Sequence, residues 1–209
     1  MDNVKISDQP SVFIIDDEEP IRSALTLLME SVGLKAESFA SAQEYLEQFD
    51  ASKSGCIILD VRMPRISGLD LQARLTAEKI HPPIIIITGH GDVPMAVRAV
   101  TAGAVDFIEK PFNNQSMLDS VHRAIELDAV QRGESSRLQD IEAHYNSLTP
   151  REKEVLQYVI EGKRNKVIAF DMNISQSTVE AHRSKVMEKM TANTLSDLMR
   201  MALSLKLID

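Results

Sequence analysis

Cysteine is almost missing from this chain, with one in 209 residues. Cys56 stands alone inside the apolar run CIILD, which excludes an intramolecular disulfide and suits a reducing, cytoplasmic setting. In that run it reads as a small core residue. Long hydrophobic runs are missing too. No apolar stretch approaches the roughly 20 residues that a membrane-spanning helix needs, so no membrane role is expected. The opening MDNVKISDQP lacks a basic patch followed by an apolar core, which argues against a secretory leader. No internal repeat or low-complexity tract interrupts the text. What remains is ordinary globular composition, 44% hydrophobic and 26% charged, long enough for two modest domains or one large one.

A net charge of −8 argues at first against nucleic acid. The charge is unevenly spread, however. From Asn146 onward ten Lys and Arg face eight Asp and Glu, while the preceding residues hold 13 against 23. An acidic part joined to a mildly basic one suggests two separate jobs.

Residues 11–125 alternate short apolar runs with amphipathic stretches. Strands are predicted at Ser11–Ile15, Lys35–Phe39, Cys56–Leu59, Ile84–Ile87 and Val105–Ile108. Helical patterns fall at Pro20–Val32, Ala42–Phe49, Leu69–Glu78 and Val93–Ala102, with another starting near Gln115. Five near-continuous apolar strands alternating with helices read as βαβ units, hence an α/β doubly wound parallel sheet covered on both faces. The segment that follows contains no proline and reads as a linker helix of about 30 residues, with a break near Gly133 as the rival. Within it Leu138, Ile141, Tyr145 and Leu148 form a stripe that suits either a coiled-coil seam or docking on its own domain. Thr149-Pro150-Arg151-Glu152 combines an N-cap, proline at the first helical position and a capping-box glutamate. Helices are expected from there at Arg151–Glu161, Asn165–Met172, Gln176–Met190 and Thr194–Leu205.

Polar residues fall at the carboxyl ends of the predicted strands. Asp16 and Asp17 follow the first, Asp60 ends the third, Thr88 ends the fourth, and Lys110, followed by Pro111, ends the fifth. Parallel strands place these ends along one edge, where doubly wound folds build ligand sites. Carboxylates crowded within about 4 Å repel by roughly 4 kcal/mol per pair at an effective dielectric near 20, so a cation must offset them. Oxygen-only ligands suit Mg²⁺ (or Mn²⁺). Asp60 is the best-placed nucleophile toward a phosphoryl group, since the adjacent Asp16 and Asp17 are better placed to hold metal. Lys110 and the Thr88 hydroxyl would steady phosphoryl oxygens. A helix cap or a solvated salt bridge is the plain alternative at each position taken alone.

IIDDEEPIR, ILDVRMPRISGLDL, IIIITGHGDVPMAVRA and GAVDFIEKPF together resemble the receiver domain of bacterial response regulators. The resemblance covers residues 11–125 and implies the flavodoxin-like strand order 2-1-3-4-5. It implies Asp60 as phosphoacceptor, Asp17 as a direct metal ligand, Asp16 as a direct or water-mediated one, and the Arg62 backbone carbonyl as another. It also implies Thr88 and Lys110 as phosphoryl contacts, a cis Lys110-Pro111 bond, and Phe107 as the aromatic switch, a position that otherwise reads as core. His90 reads as structural.

In the basic part, Asn165–Met172, a short turn at Asn173-Ile174 and a helix capped at Ser175 or Ser177 form a helix-turn-helix. Val167, Ile168, Ile174, Val179 and Val186 are expected to hold it together. Lys163, Arg164 and Lys166 charge the first helix, and Thr178, Ala181, His182, Arg183, Lys185 and Lys189 surround the second. That pattern suits a helix laid in the major groove. Glu180 dilutes the charge, or accepts a hydrogen bond from a cytosine. His182, Met187 and Met190 read as packing residues. LTPREKEVL, EGKRNKVIAFDMNISQSTVEAHRSKVMEKM and LSDLMRMAL resemble the LuxR-type helix-turn-helix domain, over residues 144–207, leaving 126–143 as the helical linker. The combination resembles the NarL/FixJ class, in wording nearest its FixJ/StyR/TodT branch. Glu180 and Ser184 depart from the lysines some members carry, so base readout does not transfer.

The resemblance implies a transcriptional regulator rather than an enzyme. Its expected partners are a sensor histidine kinase, double-stranded promoter DNA and RNA polymerase, with homodimerisation on phosphorylation. An adaptor that binds protein through its second domain and a metal-dependent phosphohydrolase are the competing readings. The basic residues around the second helix argue against the first, which a steep salt dependence of duplex binding would test. The tethered helix-turn-helix argues against the second, which release of several phosphates per chain would support.

Overall fold

The computed structural model describes residues 9–208 except 79 and 81; most of the opening MDNVKISDQP, read above as no secretory leader, lies outside the described residues. The described residues divide into two compact units that meet between Gln131 and Arg132. In the first, strands β1 (Ser11–Ile15), β2 (Lys35–Phe39), β3 (Gly55–Asp60), β4 (Ile84–Thr88) and β5 (Asp106–Glu109) form one sheet. Its order is β2-β1-β3-β4-β5 and every neighbouring pair is parallel, the order the resemblance implied.

Helices α1 (Glu19–Ser31), α2 (Ala42–Gln48), α3 (Gly68–Ala77) and α4 (Val93–Thr101) make the crossovers, and α5 (Asn114–Asn146) follows β5. Because side chains alternate along a strand, each apolar strand feeds two cores. Phe13, Ile15, Ile57, Leu59 and Ile86 meet Tyr45, Leu71, Leu75 and Ala99 on one face. Val12, Ile14, Cys56, Ile58, Ile85 and Ile87 meet Leu25, Met29, Met117, Val121 and Ala124 on the other. Cys56 is fully buried, as expected, and burial pushes its thiol up to about 12. Observed ends differ from the predicted ones by a residue or two, because capping side chains rather than the apolar period set them. Ser41, Ser67 and Asp92 cap α2, α3 and α4 through hydrogen bonds to backbone N–H groups. α5 runs as one helix of 33 residues through Gly133, the continuous linker helix the sequence predicts, and the rival break is absent.

The second unit is helical, with α6 (Pro150–Ile160), α7 (Asn165–Met172), α8 (Gln176–Lys189) and α9 (Leu195–Ser204). The Thr149–Glu152 capping box forms as the sequence predicts. Asn173 ends α7 in the left-handed region at φ 53°, a conformation asparagine tolerates well, and so turns the chain toward α8. Ile168, Val179, Val186 and Met190 are buried with Val155, Leu156, Leu198 and Ala202. Val167 is the exception to the expected core. It is 45% exposed, because α7 turns Ile168 and Met172 inward instead. In the stripe before α6, Ile141 and Leu148 are buried in this unit's own core with Tyr145 against it, while Leu138 stays partly exposed.

Glu152 does more than cap. Its Oε2 also accepts the Lys189 ammonium at 2.6 Å, and with the Thr149 N–H this pulls the carboxyl down to about 2. A carboxyl lowered in the folded state stabilises above its unfolded value and loses that contribution as pH falls from about 4.5 through about 2. Lys189 is one-third exposed, so solvent screening limits the contribution to about 1–2 kcal/mol. Glu152→Gln is therefore expected to destabilise this unit by that amount at neutral pH and to flatten its acid transition. Urea unfolding at several pH values, followed by circular dichroism, reads both.

Candidate functional site

Three strand ends carry the site. Asp16 directly follows β1, where its N–H donates to the Phe39 carbonyl of β2 at 3.2 Å. Asp60 closes β3. Lys110 leaves β5 with its N–H on the Thr88 carbonyl at 2.7 Å, and its peptide bond to Pro111 is cis. The register thus aims one ammonium and two carboxyls at a common point. Lys110 Nζ lies 2.7 Å from Asp16 Oδ2, 2.8 Å from Asp60 Oδ1 and 3.3 Å from Glu18 Oε1. Its three N–H donors therefore face three carboxylates.

The remaining oxygens are held by backbone. Asp60 Oδ2 accepts the Arg62 N–H at 2.6 Å, and Asp16 Oδ1 accepts the Glu18 N–H at 2.8 Å. Asp16 is fully buried and Asp60 nearly so. Burial pushes the Asp16 carboxyl above the ordinary range, against the pull of Lys110. Burial also works against the charge on Lys110, but the hydrogen bonds it donates to Asp16 and Asp60 outweigh it and hold the ammonium's pKa above the usual lysine value. Close packing fixes the Asp60 backbone as well. A Cβ on Gly68, the first residue of α3, would stand 2.2 Å from the Asp60 carbonyl oxygen.

The other predicted residues surround this centre. Asp17 is exposed, and its carboxylate has no partner among the described residues. Thr88 is buried, with its Oγ1 accepting the His90 N–H at 3.3 Å. Phe107 is half-buried against the core. A Cβ on Gly91 would lie 3.0 Å from its ring and 3.4 Å from the Thr88 methyl group, so glycine keeps the space between these two residues open. Arg62 contributes its N–H to Asp60, while its side chain is exposed. Two participants were not anticipated. Glu18 reaches Lys110 from the start of α1, and the Arg22 guanidinium donates to the Asp16 carbonyl at 2.8 Å. Both lie within IIDDEEPIR, but neither occupies a strand end, which was the signal used.

The donor set fits a hard divalent cation. It is all oxygen, carries more negative charge than Lys110 offsets, and places the unpartnered Asp17 carboxylate beside Asp16. Among the described residues no three acidic, His or Cys side chains are already arranged to hold a metal ion; Asp16, Asp17 and Asp60 are the residues that would hold it.

In the helical unit, Thr178, Glu180, Ala181, Ser184 and Lys185 are exposed along α8, and Arg164 and Lys166 at the start of α7. Thr178 Oγ1 lies 2.7 Å from the Ser175 hydroxyl. Other members of the expected set are already engaged. Arg183 donates to Asn165 Oδ1 at 2.7 Å, and the Glu180 carboxylate accepts from Gln176 at 3.3 Å. Lys163 bonds Asp171 at 3.0 Å and lies 4.2 Å from the Tyr158 ring centre. Lys189 holds Glu152 and the Ser147 carbonyl. Among the described residues, Arg164, Lys166 and Lys185 are the cations of this set without a partner. His182 is half-buried, consistent with a packing residue.

A sheet edge of this kind joined to a helix-turn-helix defines a two-component transcriptional regulator, and comparison with known proteins bears this out. Residues 12–122 match the response regulator receiver domain, and residues 146–202 match the bacterial regulatory proteins of the luxR family. The chain belongs to the NarL/FixJ family of response regulators. It is 44% identical over 202 residues to the response regulator protein TodT of Pseudomonas putida, covering 96% of this chain and 89% of that one. To the transcriptional regulatory protein FixJ of Rhizobium meliloti it is 44% identical over 194 residues, covering 93% and 95%. The solved structure of response regulator StyR superposes with a TM-score of 0.86 at 40% identity, over 93% of this chain and 98% of that one. Membership implies a kinase partner and DNA, and receiver domains generally bind Mg²⁺ at the phosphorylation site. No helix among the described residues is long and apolar enough to cross a membrane.

Proposed function

We propose that Asp60 accepts a phosphoryl group from a sensor histidine kinase, and that this promotes dimerisation and promoter binding in the cytoplasm. The observation that carries the reading is one ammonium, Lys110, bound to both Asp16 and Asp60 at the carboxyl edge of the sheet. An Asp60 oxygen attacks phosphorus, the bond from phosphorus to the donor breaks, and the electron pair leaves with the donor. Lys110 can follow the charge from the carboxylate onto a phosphoryl oxygen, since it already touches Asp60. The Arg62 N–H orients the carboxylate. The Thr88 hydroxyl accepts the His90 N–H and has its own O–H to donate to another phosphoryl oxygen. Asp16, Asp17, Asp60 and the Arg62 carbonyl would hold Mg²⁺, which supplies positive charge to the transferring group when bound.

Thr88 and Phe107 then carry the change outward, through the space beside Gly91, to the face of α4, β5 and α5. On α4, Val93, Val97 and Val100 stand exposed while only Ala99 is buried, which suits a surface covered on dimerisation. Moving from about 1:99 to 99:1 in favour of the active form takes roughly 5.5 kcal/mol. α9, exposing Leu195 and Leu203, is the element proposed to pair the DNA-binding units and set two α8 helices about one DNA turn apart. RNA polymerase is the partner at the promoter. The chain is a regulator rather than an enzyme, modifying only itself.

Incubation with Mg²⁺ and a small phosphodonor, beside Asp60→Asn, tests the reading. A single phosphoryl adduct by mass, absent in the variant, is expected with tighter and salt-dependent duplex binding. Each phosphate contact made by Arg164, Lys166 or Lys185 contributes about −0.9 to the log–log salt slope. An Asp60-independent adduct, or none, overturns it.

A further inference from the structure

Glu18 holds the N-cap position of α1, yet its side chain makes no capping hydrogen bond. Glutamate is not among the favoured N-cap residues, because its longer side chain fits the first turn poorly. Its carboxylate instead spans 92 positions of sequence to meet Lys110 Nζ at 3.3 Å. It is also 63% exposed, against 11% for Lys110. The third donor of the buried ammonium thus ends on a solvent-facing anion.

From this we propose that Glu18 is a positioning residue that restrains charging of Asp60, by occupying Lys110 and by placing a negative charge at the mouth of the site. The inference rests on Asp60 being the phosphoacceptor. An incoming phosphoryl group brings its own negative oxygens to the ammonium. Two N–H donors are already held by Asp16 and Asp60, and the third must leave Glu18 to reach a phosphoryl oxygen. Glu18 also repels a dianionic donor on approach, while a less charged donor feels it less. Both effects slow the forward transfer, in which the Asp60 oxygen bonds to phosphorus as the leaving group departs with its electron pair. The restraint favours phosphorylation by a docked kinase over adventitious charging by free metabolic phosphodonors.

The test compares the full chain with Glu18→Gln in Mg²⁺, following Asp60 adduct formation by intact mass. With acetyl phosphate, a dianion at neutral pH, the variant is expected to charge about fivefold faster at low salt, the scale of one exposed ion pair. With phosphoramidate, which carries less charge, the gain should be about twofold. Both gains should vanish near 1 M salt, where the screening length is about 3 Å. The unfolding midpoint should move only slightly, because no cap is lost and an exposed ion pair adds little to stability. Equal or slower charging by acetyl phosphate, or a gain indifferent to salt and donor charge, overturns the proposal. If the variant fails to fold, the unaltered chain still decides: its charging by acetyl phosphate should rise with salt, and a fall or no change overturns the proposal. No adduct on the unaltered chain under any condition instead removes the phosphoacceptor reading, and this inference with it.

Discussion

Gly55→Ala is expected to remove at least about 4 kcal/mol of stability from the receiver unit, a large share of the roughly 5–15 kcal/mol that holds an ordinary domain folded. Gly55 opens β3 at φ +134°, and a Cβ there would sit 1.8 Å from the carbonyl oxygen of Ser11 and 2.8 Å from its nitrogen. Ser11 is its register partner on β1, so the obstacle is paired backbone and no side-chain rotation relieves it. β1 and β3 are the central strands that carry Asp16 and Asp60, and parting them would dismantle the site. Urea unfolding monitored by hydrogen exchange separates the units. Amides of β1 and β3 should lose protection in the variant while those of α6 and α8 keep theirs. Protection within 1 kcal/mol of the unaltered chain would show that the strands can part cheaply, contrary to this geometry.

The second large effect is expected at Lys110. Lys110→Met keeps much of the side-chain volume but leaves Asp16 and Asp60 without their shared cation in a site where both are buried. Losing one partner of a buried charge group costs about 3–5 kcal/mol, and the Asp60 adduct is expected to disappear or form at least 100-fold more slowly, on the scale of one lost electrostatic stabiliser. Mg²⁺ should restore part of the lost stability, because it supplies charge to the same oxygens. Thermal unfolding with and without Mg²⁺ provides the reading. A variant as stable as the parent in both would mean that Lys110 is not what balances the two aspartates.

The fold was legible because its periods are simple. Runs such as SVFII and IIIIT, buried on both faces, have no other economical reading than interior parallel strands, and that parallelism alone brings Asp16, Asp60, Thr88 and Lys110 to one edge. What escaped the sequence depends on reach rather than period. Glu18 looks like one more acidic residue at a helix start until its carboxylate is placed on Lys110. Lys189 and Arg183 share the polar faces of α8 with Lys185, and only tertiary contacts with Glu152 and Asn165 separate structural cations from available ones. Val167 follows the apolar spacing of α7 but lies just off the face that Ile168 and Met172 bury, a rotation that a helix of eight residues is too short to specify.

Asp128 gives the end of the receiver a physical meaning. This residue of α5 is buried, and its carboxylate accepts the N–H of Gly55 at 2.8 Å, closing the base of the strand whose top is Asp60. A fragment trimmed to the sequence-matched segment, residues 12–122, would leave that amide unsatisfied in the interior, at a cost of about 1–3 kcal/mol. The signalling strand is therefore anchored by the same helix that leads out of its domain. A dissection that respects the chemistry of Asp60 has to carry α5 past Asp128, and phosphorylation kinetics measured on shorter pieces would describe a looser strand than the one the whole chain uses.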